Sequence, residues 1–469
     1  MSEPPAPGGD LGLGAFLAWL HAGEVPASVD RWFGDWLRSV GLARDPKAAE
    51  IADFLDTAVS WGTLAAFSSF RGRGKGADAA LVNYAAAVRR PRDLIQMWRG
   101  ADADFAARIH AYGASEDPSG DAAALDRIAA DSPDEEVRLL ARLVRHGVPP
   151  WHAPAVRKRA ALSGEDWLAR WLPMQARRPP LWLRGAEPRN AAVVRDMLAA
   201  DGLRAVLQDG AALAMIGATP VFRSRAWREG RVEIQDLASQ RVGEAAPAGP
   251  GQLVWDACAG SGGKTLHLWA RLEGRGAVHA SDASPSRLKE LRKRLARVDG
   301  KNVRVWPWNG AAPVALPPEV AARRGFDMVL VDAPCSGSGT WRRRPDARLR
   351  SVASAIPRWA SQQRALLDAA ATTVRPGGAL VYATCSAWVE ENEDVVAAFL
   401  GAHPGWSGER SGLVGAPDLD ADTLFVATLR RGVVGAGLVA LAGPQVGSGP
   451  VHHSNRSSSS STKGSARTR

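Results

Sequence analysis

The chain has 469 residues, with Lys+Arg 59 against Asp+Glu 49, a net charge of +10 and three cysteines. That length exceeds one ordinary core and implies two or three domains. Three cysteines exclude a disulfide framework, no apolar run is long enough to span a bilayer, and no start-proximal segment has the make-up of a secretory leader, so the chain is expected in reducing cytoplasm.

From the amino end, helical periodicity runs through Leu11 to His21, Val29 to Val40, Ala48 to Phe70 and Glu135 to Arg145. Residues 1–145 are therefore expected to form a helical domain. Trp19, Trp32, Trp36 and Trp61 recur at helical spacing and are expected in its core. The texture changes at Pro149-Pro150-Trp151, and Arg157-Lys158-Arg159 and Arg177-Arg178-Pro179-Pro180-Leu181-Trp182-Leu183-Arg184 follow. A helix over Asn190 to Ala200 and apolar runs at Ala205 to Leu207 and Ala212 to Ile216 predict a small α/β module over 146–245. Such a module could hold RNA by phosphate pairing and stacking, or could serve packing alone.

The block 246–432 carries the chemistry. Gln252 to Ala257 predicts a strand, and the turn Cys258-Ala259-Gly260-Ser261-Gly262-Gly263-Lys264 leads into a helix near Thr265. Glycines there let a ligand approach the backbone, and the helix start offers unpaired N–H groups. A phosphate-binding P-loop would need glycine where this chain has Cys258, which argues against a nucleoside triphosphatase. A second strand, Ala277 to Ser281, ends in Asp282, 19 residues after Gly263. That spacing suits a carboxylate on ribose hydroxyls, although Asp282 could instead cap the following helix, Ser286 to Arg297. A third strand, Val303 to Trp308, ends at Asn309, whose amide could meet an adenine edge or merely turn the chain.

Two further runs, Phe326 to Val331 and Ala379 to Ala383, read as buried parallel strands. The loops after them hold Asp332-Ala333-Pro334-Cys335-Ser336-Gly337 and Thr384-Cys385-Ser386. In an open α/β sheet the ligand crevice lies at the carboxyl ends of the strands, so both thiols are placed for chemistry. Arg287, Lys289, Arg292, Lys293, Arg294 and Arg297 crowd one stretch, and Arg342, Arg343, Arg344, Arg348 and Arg350 another. Basic residues beside such a site favour a polyanion such as nucleic acid; a solvated helix face is the plainer reading of the first cluster. Past 432 the chain is rich in Gly and Ser and is expected to be a disordered basic tail over 433–469.

Taken together, the motifs Asp256-Ala257-Cys258-Ala259-Gly260-Ser261-Gly262-Gly263-Lys264-Thr265, Asp332-Ala333-Pro334-Cys335-Ser336-Gly337-Ser338-Gly339 and Thr384-Cys385-Ser386 with Glu390-Glu391-Asn392-Glu393 resemble the RsmB/Sun family of S-adenosylmethionine-dependent RNA cytosine-C5 methyltransferases. Gln235-Asp236-Leu237-Ala238-Ser239-Gln240, Arg342-Arg343-Arg344-Pro345-Asp346 and Arg375-Pro376-Gly377-Gly378, expected just ahead of the last strand, are similar to the same family. Pro179 to Arg184 resembles the start of its RNA-binding module, so likeness covers about 149–431.

The resemblance implies a Rossmann-like, doubly wound methyltransferase domain, preceded by a small α/β RNA-binding module and the helical domain. Carbon 5 of cytosine is a weak nucleophile, so a thiolate must first add to carbon 6. The residues alone leave the choice between the two thiols open; the resemblance makes Cys385 the nucleophile, Cys335 the aid to proton removal and release, and Asp332 the partner of N3. It puts S-adenosylmethionine against Cys258, Ala259, Gly260, Ser261, Gly262, Gly263 and Lys264, with Asp282 on ribose, Asn309 near adenine and Asp332 near the sulfonium. Asn309 departs from the acid usual there. RNA is the expected partner, rRNA first and tRNA second, with no metal and no membrane, the chain acting as a monomer. A non-catalytic ribosome-assembly factor and a DNA or tRNA methyltransferase are the alternatives.

Overall fold

The structure is a computed structural model and describes residues 11–433 apart from 23–28, 41–46, 72–76, 100–102, 114–119, 187–189, 209–210, 218–219 and 311–313. The tail expected to be disordered thus lies, from 434 on, outside the described residues.

Among the described residues ten α-helices come first: α1 (Leu11–Leu20), α2 (Val29–Ser39), α3 (Lys47–Arg71), α4 (Ala77–Ala87), α5 (Pro91–Trp98), α6 (Ala103–Gly113), α7 (Asp121–Asp131), α8 (Glu135–Arg145), α9 (Ala153–Ser163) and α10 (Glu165–Met174). In α8 the Asp134 side chain accepts from the N–H groups of Glu136 and Val137, which caps the helix, and Leu139, Leu140, Leu143 and Val144 form its buried stripe. Each such buried leucine contributes about 2 kcal/mol relative to exposure. The boundary expected at 145 is displaced. α9 and α10 bury Val156, Trp167, Leu168 and Trp171 in the same core as α1 to α8, so the helical region runs on to Met174.

A small antiparallel sheet follows, with β1 (Trp182–Gly185), β2 (Ala205–Leu207), β3 (Ala212–Met215) and β4 (Val232–Ile234) in the order β2-β3-β1-β4. Helix Ala191–Ala200 packs on it through Val194 and Leu198.

The third part is a seven-stranded sheet of β5 (Leu253–Asp256), β6 (Ala277–Asp282), β7 (Val303–Pro307), β8 (Phe326–Asp332), β9 (Val374–Thr384), β10 (Trp406–Gly415) and β11 (Thr423–Arg431). Its order is β10-β11-β9-β8-β5-β6-β7. The five strands from β9 to β7 are parallel, and β11 alone is reversed, antiparallel to both β9 and the edge strand β10. Two expectations are corrected here. Arg375-Pro376-Gly377-Gly378 lies inside β9 rather than ahead of it, and β9 is followed by two more strands. The chain proceeds outward from β5 through β6 to β7 and then returns to β8 on the other flank of β5, so the strand order reverses between β5 and β8. That switch point is where such sheets open a crevice at their carboxyl ends. Apolar side chains on both faces, among them Trp255, Val329, Val331 and Tyr382 on one and Val254, Leu330 and Val381 on the other, hold those ends in register.

Candidate active site

Cys335 and Cys385 leave neighbouring parallel strands, β8 and β9, paired up to Asp332 and Ala383. Their sulfurs stand 3.2 Å apart, a hydrogen-bond contact between free thiols rather than a disulfide. The hydrogen bond to Cys385 pushes the Cys335 thiol well up, with burial, the Cys385 charge and Glu391 adding to it. Cys335 therefore favours the neutral thiol. The Gly339 N–H donates to the Cys385 carbonyl at 2.9 Å, tying one loop to the other.

Beside the thiols, Lys264 donates to Asp332 at 2.8 Å. Burial pulls the Lys264 pKa down, but Asp332, Cys385 and Asp256 outweigh it and leave the ammonium favoured. Arg343 adds a second cation that interacts with Cys385 while bound to Asp422 at 2.8 Å. Two cations thus lie near Cys385, each also paired with a carboxylate.

Glu391 carries no exposed surface, and its carboxylate accepts four hydrogen bonds. The donors are the Ser336 N–H at 2.9 Å, Gln363 at 3.1 Å, the Ser336 hydroxyl at 2.5 Å and the Ser386 hydroxyl at 2.6 Å. One carboxylate therefore joins the residues that follow both cysteines. The sequence offered Glu391 only as part of a motif; its proximity to Ser336, 55 positions away, is a property of the fold.

At the carboxyl end of β5, Asp256 is fully buried and accepts from the Thr265 hydroxyl at 2.7 Å. Burial pushes its pKa up to about 7, against the lowering by Thr265. Its other oxygen has no hydrogen-bond partner among the described residues. Gly262 holds φ at +96° against Leu291, so a side chain there meets both strain and collision. At Gly260 and Gly263, by contrast, a Cβ would project into open space at the start of helix Gly263–Arg271. This open cradle with free helix N–H groups, an orphaned buried oxygen and the Lys264–Asp332 pair beside it fits an adenosyl cofactor.

Asp282 closes the cradle. Its carboxylate accepts from the Gly260 N–H at 2.9 Å and from the Ser284 N–H at 2.8 Å. The helix cap is Ser284 rather than Asp282. Cys258 and Ala259 lie in the same turn, and burial followed by Asp256, Asp332 and Asp282 drives the Cys258 thiol well up, so it stays neutral. Ser261 is exposed, and its carbonyl accepts from Arg294 at 3.2 Å. Asn309 follows β7 at the edge of the parallel strands, exposed and beyond Trp308, whose N–H donates to the Asp282 carbonyl at 3.2 Å.

The charge reading changes on contact with the fold. Arg294 and Arg297 both bind Glu233 of β4, which is 2% exposed, and so hold the small module to the helix Pro285–Arg297. Arg342 is buried on the carbonyls of Met174, Arg177 and Ala421, and Arg348 on those of Gly147 and Gln175. Part of each basic cluster is thus internal clamp rather than free charge, while Arg287, Lys289, Arg292 and Lys293 stay exposed. Trp182 and Arg184 also point inward, Trp182 donating to the Asp420 carbonyl at 2.8 Å and Arg184 to Gln235 at 2.7 Å. His152, packed between Trp341 and Trp388, is pushed down to about 3 by burial and is a neutral core group.

Among the described residues no group of three or more His, Cys, Asp or Glu could hold a metal ion, and no helix is long and apolar enough to cross a membrane.

Residues 246–423 match the family model described as 16S rRNA methyltransferase RsmB/F. The ribosomal RNA small subunit methyltransferase B of Xanthomonas campestris pv. campestris is 35% identical over 260 residues, covering 54% of this chain and 57% of the relative. Its namesake from Pseudomonas putida is 34% identical over 280 residues, covering 56% and 59%. The chain thus spans little more than half the length of these relatives. The crystal structure of PH0851 is similar in fold, with a TM-score of 0.65 and 23% identity over 92% of this chain and 100% of that one. At that coverage the likeness in fold extends well beyond the seven-stranded part.

Proposed function

We propose that this chain, whose residues 246–423 match the RsmB/F methyltransferase family model, uses S-adenosylmethionine to methylate carbon 5 of a cytosine in RNA, rRNA first, through a covalent adduct between Cys385 and carbon 6. The observation that carries the reading is the 3.2 Å approach of Cys335 and Cys385 at the carboxyl ends of adjacent strands, with Lys264–Asp332 alongside.

Cys258 to Lys264, Asp282, Asn309 and Asp332 would hold the cofactor, which when bound supplies an electrophilic methyl group on its sulfonium. The Cys385 thiolate, facing Lys264 and Arg343, adds to carbon 6 and shifts electron density onto carbon 5. Asp332 would stabilise the adduct by hydrogen bonding at N3. Once carbon 5 carries its methyl group, a base takes the remaining proton, the ring double bond re-forms and the S–C6 bond breaks. Cys335 suits that moment. Before attack its thiol is kept protonated chiefly by Cys385; after attack Cys385 is a thioether, and that contribution is gone. The target base must be single-stranded or extruded for a thiol to reach carbon 6.

Incubation with labelled methyl donor and separated rRNA, tRNA and DNA, followed by nucleoside mass spectrometry, tests this. Label is expected in 5-methylcytidine from rRNA; label in another base, or none in any pool, refutes the proposal.

A further inference from the structure

A groove of about 940 Å³ lies where the helical region meets the stretch after the Cys335 loop, lined by Arg89, Arg90, Arg92, Trp151, Leu349 and Arg350. None of Cys335, Cys385, Asp332 or Lys264 lines it. We propose that this groove is a second RNA-binding site, which takes a single-stranded stretch of the substrate while the target cytosine sits at the thiols. It rests on the RNA reading above and adds to it where on the chain the rest of the strand is gripped.

Charge selects the occupant. The lining holds four arginines and one acid, Glu136, which Arg157 already binds. Arg89 makes no ion pair among the described residues, and Arg90 and Arg92 share Asp93 at 3.6 and 3.8 Å with 59% and 62% of their side chains exposed. Exposed pairs of that kind are weak and exchange readily for phosphate. Arg350 is committed to Asp346 at 2.5 Å, so the arginines of the 89–92 turn are the available ones.

The lining is otherwise apolar, with Val88, Leu140 and Pro150 beside Trp151. Phosphate alone would not want such walls, whereas bases do. The Trp151 indole is anchored by its edge, donating to the Ser351 carbonyl at 3.2 Å, which gives a stacking platform fixed before the strand arrives. The chain's own segment 434–469 is a poor occupant, since it holds no Asp or Glu and carries Arg456, Lys463, Arg467 and Arg469.

The test is binding of a labelled single-stranded RNA oligonucleotide of mixed sequence to the full chain, by fluorescence anisotropy across a salt series. The double variant Arg89→Glu/Arg92→Glu is expected to lose at least about tenfold in affinity, with the salt slope reduced by about one per arginine removed. Trp151→Leu keeps the groove apolar and is expected to lose about tenfold with the slope unchanged. S-adenosylmethionine affinity should not move in either. RNA carrying 4-thiouridine should crosslink to the peptide that holds Trp151. Unchanged affinity and slope in the double variant, or no binding by the parent chain, overturns the proposal, and unchanged binding would give the groove to an acidic protein instead. Since the readout is binding, a parent chain that binds but forms no 5-methylcytidine defeats the methyl-transfer reading and leaves this one standing.

Discussion

The Arg159 guanidinium on α9 donates through Nε to the Ala387 carbonyl at 2.7 Å, just past Cys385 in the chain. Its other two nitrogens take both carboxylate oxygens of Glu393 at 2.8 and 2.7 Å, and 1% of the residue is exposed. A fork of this kind fixes orientation as well as distance. The helical region therefore sets the backbone that presents the thiol, aided by Trp171, which packs on Trp341 and Trp388.

Arg159→Lys keeps the charge and loses the fork. It is expected to lower kcat for methyl transfer roughly tenfold to hundredfold, with KM for RNA little changed. Arg159→Ala strips Glu393 of its partner and should cost about 3 kcal/mol in urea unfolding. Steady-state kinetics beside denaturation separates the two effects, and a kcat untouched by the lysine variant would reduce Arg159 to packing.

The two cysteines are expected to fail differently. Cys385→Ala removes the attacking sulfur and should abolish methyl transfer, while binding of S-adenosylmethionine persists. Cys335→Ala leaves attack intact and removes the aid to release, so a protein–RNA adduct should accumulate and survive a denaturing gel. Normal turnover in the first variant, or turnover without any adduct in the second, assigns the roles wrongly.

Glu391 offers a graded test. Its Oε1 faces two obligate donors, the Ser336 N–H and the Gln363 amide, whereas Oε2 faces two hydroxyls that can turn about and accept. Gln at this position can satisfy all four and should cost about 1 kcal/mol. Ala leaves buried donors without partners and should cost about 3 kcal/mol, with the cysteine loops freed from one another. Equal midpoints for the two variants in chemical denaturation would contradict the hydrogen-bond account.

How much of this could be read from the sequence follows from the range of each signal. The strand Phe326 to Val331 was legible because a strand buried on both faces is a continuous apolar run, and the structure extends it by one residue to Asp332. β10 was not, since most of its residues between Trp406 and Gly412 face solvent and show no alternation. The start of β9 was hidden by Pro376, Gly377 and Gly378, which read as a turn; the pairing with β8 absorbs them in a register shift between Phe326 and Met328. Helices α4 to α7 were passed over, and α4 shows why: its run of alanines gives little contrast between faces. The cysteine loops announced themselves because each motif is local. The clamping roles of Arg294, Arg297, Arg342 and Arg343 were not legible because their partners, Glu233, Asp420 and Asp422, lie far along the chain.

Asp256 makes the site's buried charge measurable through pH. Its pKa rises from 3.8 to about 7, by burial first, with Asp332 and Asp282 adding and Thr265 and Lys264 opposing. A group that holds its proton more tightly when folded contributes stability that is fully present below its unfolded pKa and lost as pH rises through the folded one. For Asp256 the loss falls between about pH 4 and pH 7. Asp256→Asn keeps an oxygen for the Thr265 hydroxyl and removes the titration. The variant should therefore gain on the parent chain as pH rises across that window, by at most about 4 kcal/mol above pH 7, because an uncharged amide no longer suffers desolvation as an anion. Urea unfolding of both chains at pH 5 and pH 8 reads the difference directly, and parallel pH dependences would mean that Asp256 ionises inside the fold as freely as outside it.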